Sequence, residues 1–155
     1  MEEHTHNQNY TYLETDGDFK MRELDRGDLE QFNALLQYAF QVTSYDLFQT
    51  GWQQDEIKYA KRPILEEAYV LGWFYKDRLA SMIVVYSMKV NVYDTIMDMG
   101  GITGVATYPE YTGRGLIHSL MRHALDYIHE RGMLLSFLYP YSIPFSRRMG
   151  WEVVS

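Results

Sequence analysis

The sequence predicts an α/β domain, a mixed sheet with helices packed on its faces. Three observations point to that class. Two β-rich runs flank Lys76-Asp77-Arg78 in "EAYVLGWFYKDRLASMIVVYSMKVNVY", the pattern of a hairpin. A third such run, "DTIMDMGGITGVATY", leads through a glycine turn into a stretch of helical apolar period. A strand and an amphipathic helix precede all of these, so the two kinds of element are interleaved.

The elements follow in order. Residues 1–17 begin "MEEHTHNQNYTY", polar and acidic, and read as a flexible arm. The arm is neither a secretory signal nor a transit peptide. Its histidines, His4 and His6, belong to a loose tail rather than a metal site. One domain is expected over 18–155, a common domain length. "FKMREL" alternates as a first strand. Asp28 fits an N-cap for "LEQFNALLQYAF", where Leu29, Phe32, Leu35, Leu36 and Ala39 share a face. A short helix is expected after Trp52, with Pro63 ending it. Gly100-Gly101 and Gly104 interrupt the third long strand, which suggests a bulge or a close backbone approach.

The next helix is the best defined. Leu116, Ile117, Leu120, Met121, Ala124, Leu125 and Ile128 recur at helical spacing, and Gly132 fits the residue just past its end. "MLLSFLYP" reads as a buried strand, "SIPFSRRMGW" as a short helix and "WEVVS" as the start of a last strand. Met82, Val84, Leu116, Leu120, Leu125, Leu135 and Phe137 are the expected core.

Composition narrows the function. Apolar residues are 46% and charged residues 23%, as in globular domains. No apolar run approaches the roughly 20 residues of a membrane span. A net charge of −7 argues against a general nucleic-acid binder and mildly favours a cationic partner. The absence of cysteine excludes disulfides, thiolate metal sites and a cysteine nucleophile, and is compatible with the cytoplasm.

The chemistry gathers at Gly113-Arg114-Gly115, between a strand and a helix. A helix start leaves backbone N–H groups without partners and carries partial positive charge, which suits phosphate. Glycine lets a backbone approach an anion closely, and Arg114 would add a charge-assisted contact. The bland alternative is a plain strand-turn-helix link. A dinucleotide-binding domain is disfavoured, because that fold needs strand-helix-strand order where this sequence has a hairpin.

Thr112-Gly113-Arg114-Gly115-Leu116-Ile117 resembles the cofactor motif Gln/Arg-x-x-Gly-x-Gly/Ala of the GNAT superfamily of acyl-CoA N-acyltransferases. The first and last positions depart from it. Together with "LYPYSIPFSRRMGWEVVS", the stretch is similar to the N-terminal acetyltransferase domain of Eis-like (enhanced intracellular survival) proteins. The resemblance implies a GNAT-like fold, here ending at an interrupted last strand, with the family's C-terminal domains missing from the chain. It implies acetyl-CoA as cosubstrate, no metal, and transfer of acetyl to a primary amine of the aminoglycoside, polyamine or lysine class. Val105, Ala106 and Thr107 would face the pantetheine arm, and Gly113, Arg114, Gly115, Leu116, Ile117 and His118 the pyrophosphate. Tyr141 and Ser142 would lie near the cofactor.

The family's general-acid tyrosine falls at Ser146, so Tyr139 and Tyr141 become alternative donors. An aliphatic alcohol is a far poorer acid than a phenol of pKa about 10. The expected partners are a small-molecule or peptide amine, with a homo-oligomer left open, and neither nucleic acid nor membrane. The competing function is a non-catalytic acyl-CoA-binding or assembly module.

Overall fold

The computed structural model describes residues 10–39, 62–133 and 135–138. Within them lie six strands: β1 (Glu14–Asp16), β2 (Phe19–Glu23), β3 (Tyr69–Tyr75), β4 (Arg78–Val92), β5 (Thr95–Thr107) and β6 (Leu135–Leu138). Three α-helices accompany them: α1 (Leu29–Ala39), α2 (Arg62–Glu67) and α3 (Leu116–Glu130). The strands form one sheet in sequence order, antiparallel throughout except for parallel β5–β6. The mixed α/β class read from the sequence is the observed one.

Local chemistry explains the turns. Lys76 and Asp77 both take positive φ, 46° and 66°, between β3 and β4. Tyr93 and Asp94 do the same between β4 and β5, at 48° and 64°. Two successive left-handed residues give the twist that a tight hairpin needs. Helix α1 secures the first turn: Gln31 Oε1 accepts from the Leu79 N–H at 2.8 Å, and its Nε2 donates to the Asp77 carbonyl at 3.2 Å.

Two cores sit on the two faces of the sheet. On one face, Leu116, Leu120, Met121, Ala124 and Ile128 of α3 pack against Met21, Leu71, Trp73, Ile83 and Ile102. Trp73 Nε1 donates to the buried Ser119 Oγ at 2.9 Å and ties β3 to this helix. On the other face, Phe32, Leu35 and Leu36 of α1 and Leu65 of α2 meet Val70, Phe74, Met82 and Val84. Helix α3 ends as expected: Gly132 is left-handed, and Met133 N–H reaches the Ile128 carbonyl at 3.1 Å. Those bonds satisfy carbonyls that the helix itself leaves open.

Several expectations change. Glu14–Asp16, inside the stretch read as an arm, form β1. Glu14 reaches His123 Nε2 at 3.1 Å and Arg122 at 3.6 Å, so β1 is hooked to α3. The cap before α1 is Asp25, whose carboxylate accepts from the Gly27 N–H at 2.9 Å. Asp28 is buried instead and grips Arg22 through two bonds, of 2.7 and 2.9 Å. A buried guanidinium requires that partner, and the same carboxylate accepts from the Asp25 N–H at 2.9 Å, so Asp28 closes a capping box with Asp25 rather than serving as the N-cap itself.

Pro63 lies in the first turn of α2 rather than at a helix end. The N–H it lacks has no intrahelical partner there in any case. Met82, Val84, Leu116 and Leu120 are buried as expected. Leu125 is only half-buried, because the stripe of α3 turns toward Ser119 and Ala124. Leu135 is exposed at 38%. It pairs with Met99, whereas the next position, Gly100, is the one that faces Ile128. Strand alternation therefore points Leu135 away from α3. The Phe137 side chain lies outside the described residues, as do the helix and last strand expected beyond residue 140.

Candidate functional site

The site begins with an irregularity in β5. Met82 pairs with Ala106, but Val84 pairs with Thr103, so β5 carries one extra residue. Gly104 lies in that step with φ of +64°, and a Cβ there would come 2.8 Å from Val84. Conformation and space both call for glycine. Gly104 and Val105 have no partner in the ladder, and among the described residues the β6 pairing stops at Ile102. Among the described residues, the end of β5 thus carries two positions outside the ladder.

Beyond it, Pro109–Tyr111 form a 3-10 turn, and the Thr112 hydroxyl donates to the Pro109 carbonyl at 2.8 Å. Gly113 and Gly115 follow with φ of +80° and +74°. A Cβ at either would meet nothing within 4 Å. These glycines serve conformation and leave the backbone bare toward open space. The first bond of α3 runs from Ser119 N–H to the Gly115 carbonyl at 3.3 Å. The N–H groups of Leu116, Ile117 and His118 come before it and lie outside the helical ladder.

These pieces border a single cleft of about 780 Å³. Val105, Ala106, Thr107, Gly113, Gly115, Leu116, Ile117 and His118 line it, so most of the residues named from the sequence come together. The opposite wall is the last turn of α1, Gln37 to Ala39, and Tyr111 closes one side. No sequence motif marks that wall; an aromatic content of 15% is the only feature of the sequence that bears on it. The Tyr38 ring tilts against Tyr108 at 5.3 Å. Burial, and then nearby Glu110, push the Tyr108 phenol up, so it stays neutral at ordinary pH.

Arg114 lies at the glycine turn beside the cleft. Its guanidinium sits 5.2 Å from the Phe19 ring, which itself packs against Tyr75 and Tyr111, and it is not part of the cleft lining. A cation over an aromatic face accounts for that placement. Tyr139, Tyr141, Ser142 and Ser146 lie outside the described residues. Among the described residues, no three His, Asp or Glu side chains stand together as metal ligands.

A second cleft, of about 840 Å³, opens beside Glu23, Asp25 and Tyr69. It is slightly larger, but no glycine lines it, and the helix start it touches, at Asp25 and Arg26, is capped by the Asp25 carboxylate.

This is an α/β domain whose cleft joins a helix start to the end of a bulged strand. The acetyltransferase (GNAT) domain profile matches residues 20–154, and the chain belongs to that family. It is similar to a conserved protein of unknown function from Enterococcus faecalis V583, described as a probable N-acyltransferase, with a TM-score of 0.75 and 26% identity. The match covers 86% of this chain and 32% of that one, so the chain spans about a third of its length. A GCN5-related N-acetyltransferase from Kribbella flavida is similar at a TM-score of 0.71 and 24% identity, over 87% and 33% of the two chains. One from Ralstonia eutropha JMP134 shares the fold at 0.72 and 20% identity, over 88% and 94%. No curated protein sequence matches significantly.

Proposed function

We propose that this domain binds acetyl-CoA in the β5–α3 cleft and transfers the acetyl group directly to a primary amine. The carrying observation is the convergence of a bulged strand end, two left-handed glycines and a helix start on one cleft. The site fits an extended ligand with an anionic segment: bare glycine backbone and first-turn N–H groups at one end, unpaired strand groups at the other. When bound, acetyl-CoA supplies the activated acyl group.

In this reading Gly113, Gly115, Leu116, Ile117 and His118 hold the pyrophosphate through backbone N–H groups. Val105, Ala106 and Thr107 hold the pantetheine arm. The Val105 N–H, at the bulge, would face the carbonyl oxygen on which charge builds during attack, where a fixed donor counts most. The wall of Tyr38 and Tyr111 and the net charge of −7 suit a cationic acceptor of the aminoglycoside, polyamine or lysine class. The Eis-like assignment rests on the apolar Ile117 at the last motif position and on "LYPYSIPFSRRMGWEVVS".

Calorimetric titration with CoA, followed by candidate amines and measurement of released thiol, tests the proposal. Absence of CoA binding refutes it. Binding without thiol release from any amine supports the alternative of a non-catalytic acyl-CoA module, which the serine at position 146 favours. If the missing phenol is what limits turnover, Ser146→Tyr raises thiol release, since general acid help is worth about 10²–10⁴-fold.

A further inference from the structure

Ser81 lies on β4, fully buried, directly opposite Thr107 of β5. Its Oγ is 3.1 Å from the Ala106 carbonyl and 2.7 Å from Thr107 Oγ1. A serine hydroxyl has one proton. A carbonyl can only accept, so the bond to Ala106 consumes that proton. The short contact to Thr107 must then run the other way: Thr107 donates and Ser81 accepts. Thr107 in turn has no proton left, and what its oxygen keeps is lone-pair capacity. Thr107 lines the cleft, two residues beyond the bulge and on the way to the glycine turn.

We infer that Ser81 locks the Thr107 hydroxyl as an acceptor-only group, and that it receives an amide N–H of the pantetheine arm. Thr107 is thus a specificity residue for an amide-bearing carrier, and Ser81 is the positioning residue that sets its polarity. The inference rests on the acyl-CoA reading of the cleft. The distance suits it: two residues of strand carry a ligand roughly 6–7 Å from Val105 toward the phosphate turn. An amide must lie between thioester and pyrophosphate in such an arm. A donor there is welcomed, whereas an ester oxygen would meet a lone pair.

The test uses the full chain, CoA, and two oxy-analogues, each with one pantetheine amide N–H replaced by an ester oxygen. Affinities are read by calorimetry, with circular dichroism and melting to show that each variant is folded. The unaltered chain should bind one analogue about 2- to 10-fold more weakly than CoA. Thr107→Val should weaken CoA binding by a similar factor and erase the discrimination, while Thr107→Ser keeps both. Ser81→Ala frees the Thr107 proton to turn toward an ester oxygen, so discrimination should shrink although Thr107 is intact. A merely structural role for Ser81 would lower the melting temperature and leave that ratio unchanged.

If the unaltered chain binds CoA but treats both analogues like CoA, or if Thr107→Val discriminates as before, the inference is overturned and the acyl-CoA reading stands. If the unaltered chain does not bind CoA, both fall together.

Discussion

Strand β5 behaves as two different strands along one stretch of chain. From Thr95 to Ile102 every residue has a partner on β4, and from Met99 it also pairs with β6. From Thr103 to Thr107 the register slips, Gly104 turns left-handed, and the strand end opens on the cleft. The first half anchors the sheet, with buried Ile102 set in the core under α3. The second half takes Gly104 and Val105 out of the ladder and borders the cleft. The site is made by interrupting a secondary structure, not by adding a special element to it.

The comparison predicts that stability and binding separate along the molecule. Leu120 is fully buried under the regular half, and Leu120→Ala should cost about 2–5 kcal/mol in urea denaturation. CoA affinity of the folded variant should hold. A large loss of affinity would show that the two halves are not independent.

Gly115→Val should do the reverse. Free CoA at about 100 times its dissociation constant should raise the stability of the unaltered domain by roughly 2.7 kcal/mol, and the variant should lose that gain while staying folded. The backbone at φ of +74° resists a β-branched residue, so the turn must reshape. A melting shift with CoA that survives the substitution would remove the glycine turn from the site.

Gly104→Ala sits at the boundary. It should cost about 1–2 kcal/mol from the left-handed backbone alone, with the contact to Val84 adding to it. It should depress acetyl transfer more than CoA binding, as kcat and KM measurements would show. Equal losses in both would argue that the bulge only shapes the sheet.

The smallest effect belongs to the far end of the sheet. Tyr69 stacks on Tyr127 with ring centres 3.9 Å apart. Burial, with Glu23 adding to it, pushes its phenol up to about 12 from 10.0. The folded state therefore keeps this proton while the unfolded chain releases it, so stability is intact below pH 10 and declines between about pH 10 and 12. Tyr69→Phe should flatten that part of the profile and leave CoA binding unaltered. Melting curves at several pH values check it.

Much of this was legible because local rules and tertiary packing agree. The Lys76-Asp77 hairpin, the α3 stripe, the Gly132 stop and the glycine turn all carry their cause within a few residues. What escaped depends on partners distant in sequence. Asp28 looks like a cap until Arg22 is seen to claim it, and Glu14 looks like part of a loose arm until α3 supplies Arg122 and His123. The contact of Arg114 with the Phe19 ring likewise joins the glycine turn to a strand far back in the sequence. The Tyr38 wall of the cleft comes from a helix end with no motif of its own.

The β4–β5 hairpin also has a practical side. Its tip residue Tyr93 is 99% exposed, and the chain contains no cysteine. The tip and the cleft stand at opposite ends of a 13-residue strand, a span of roughly 40 Å. Tyr93→Cys would therefore give the molecule a single thiol at a defined pole. Tethered or dye-labelled through it, the domain would present its cleft outward to solution in one orientation.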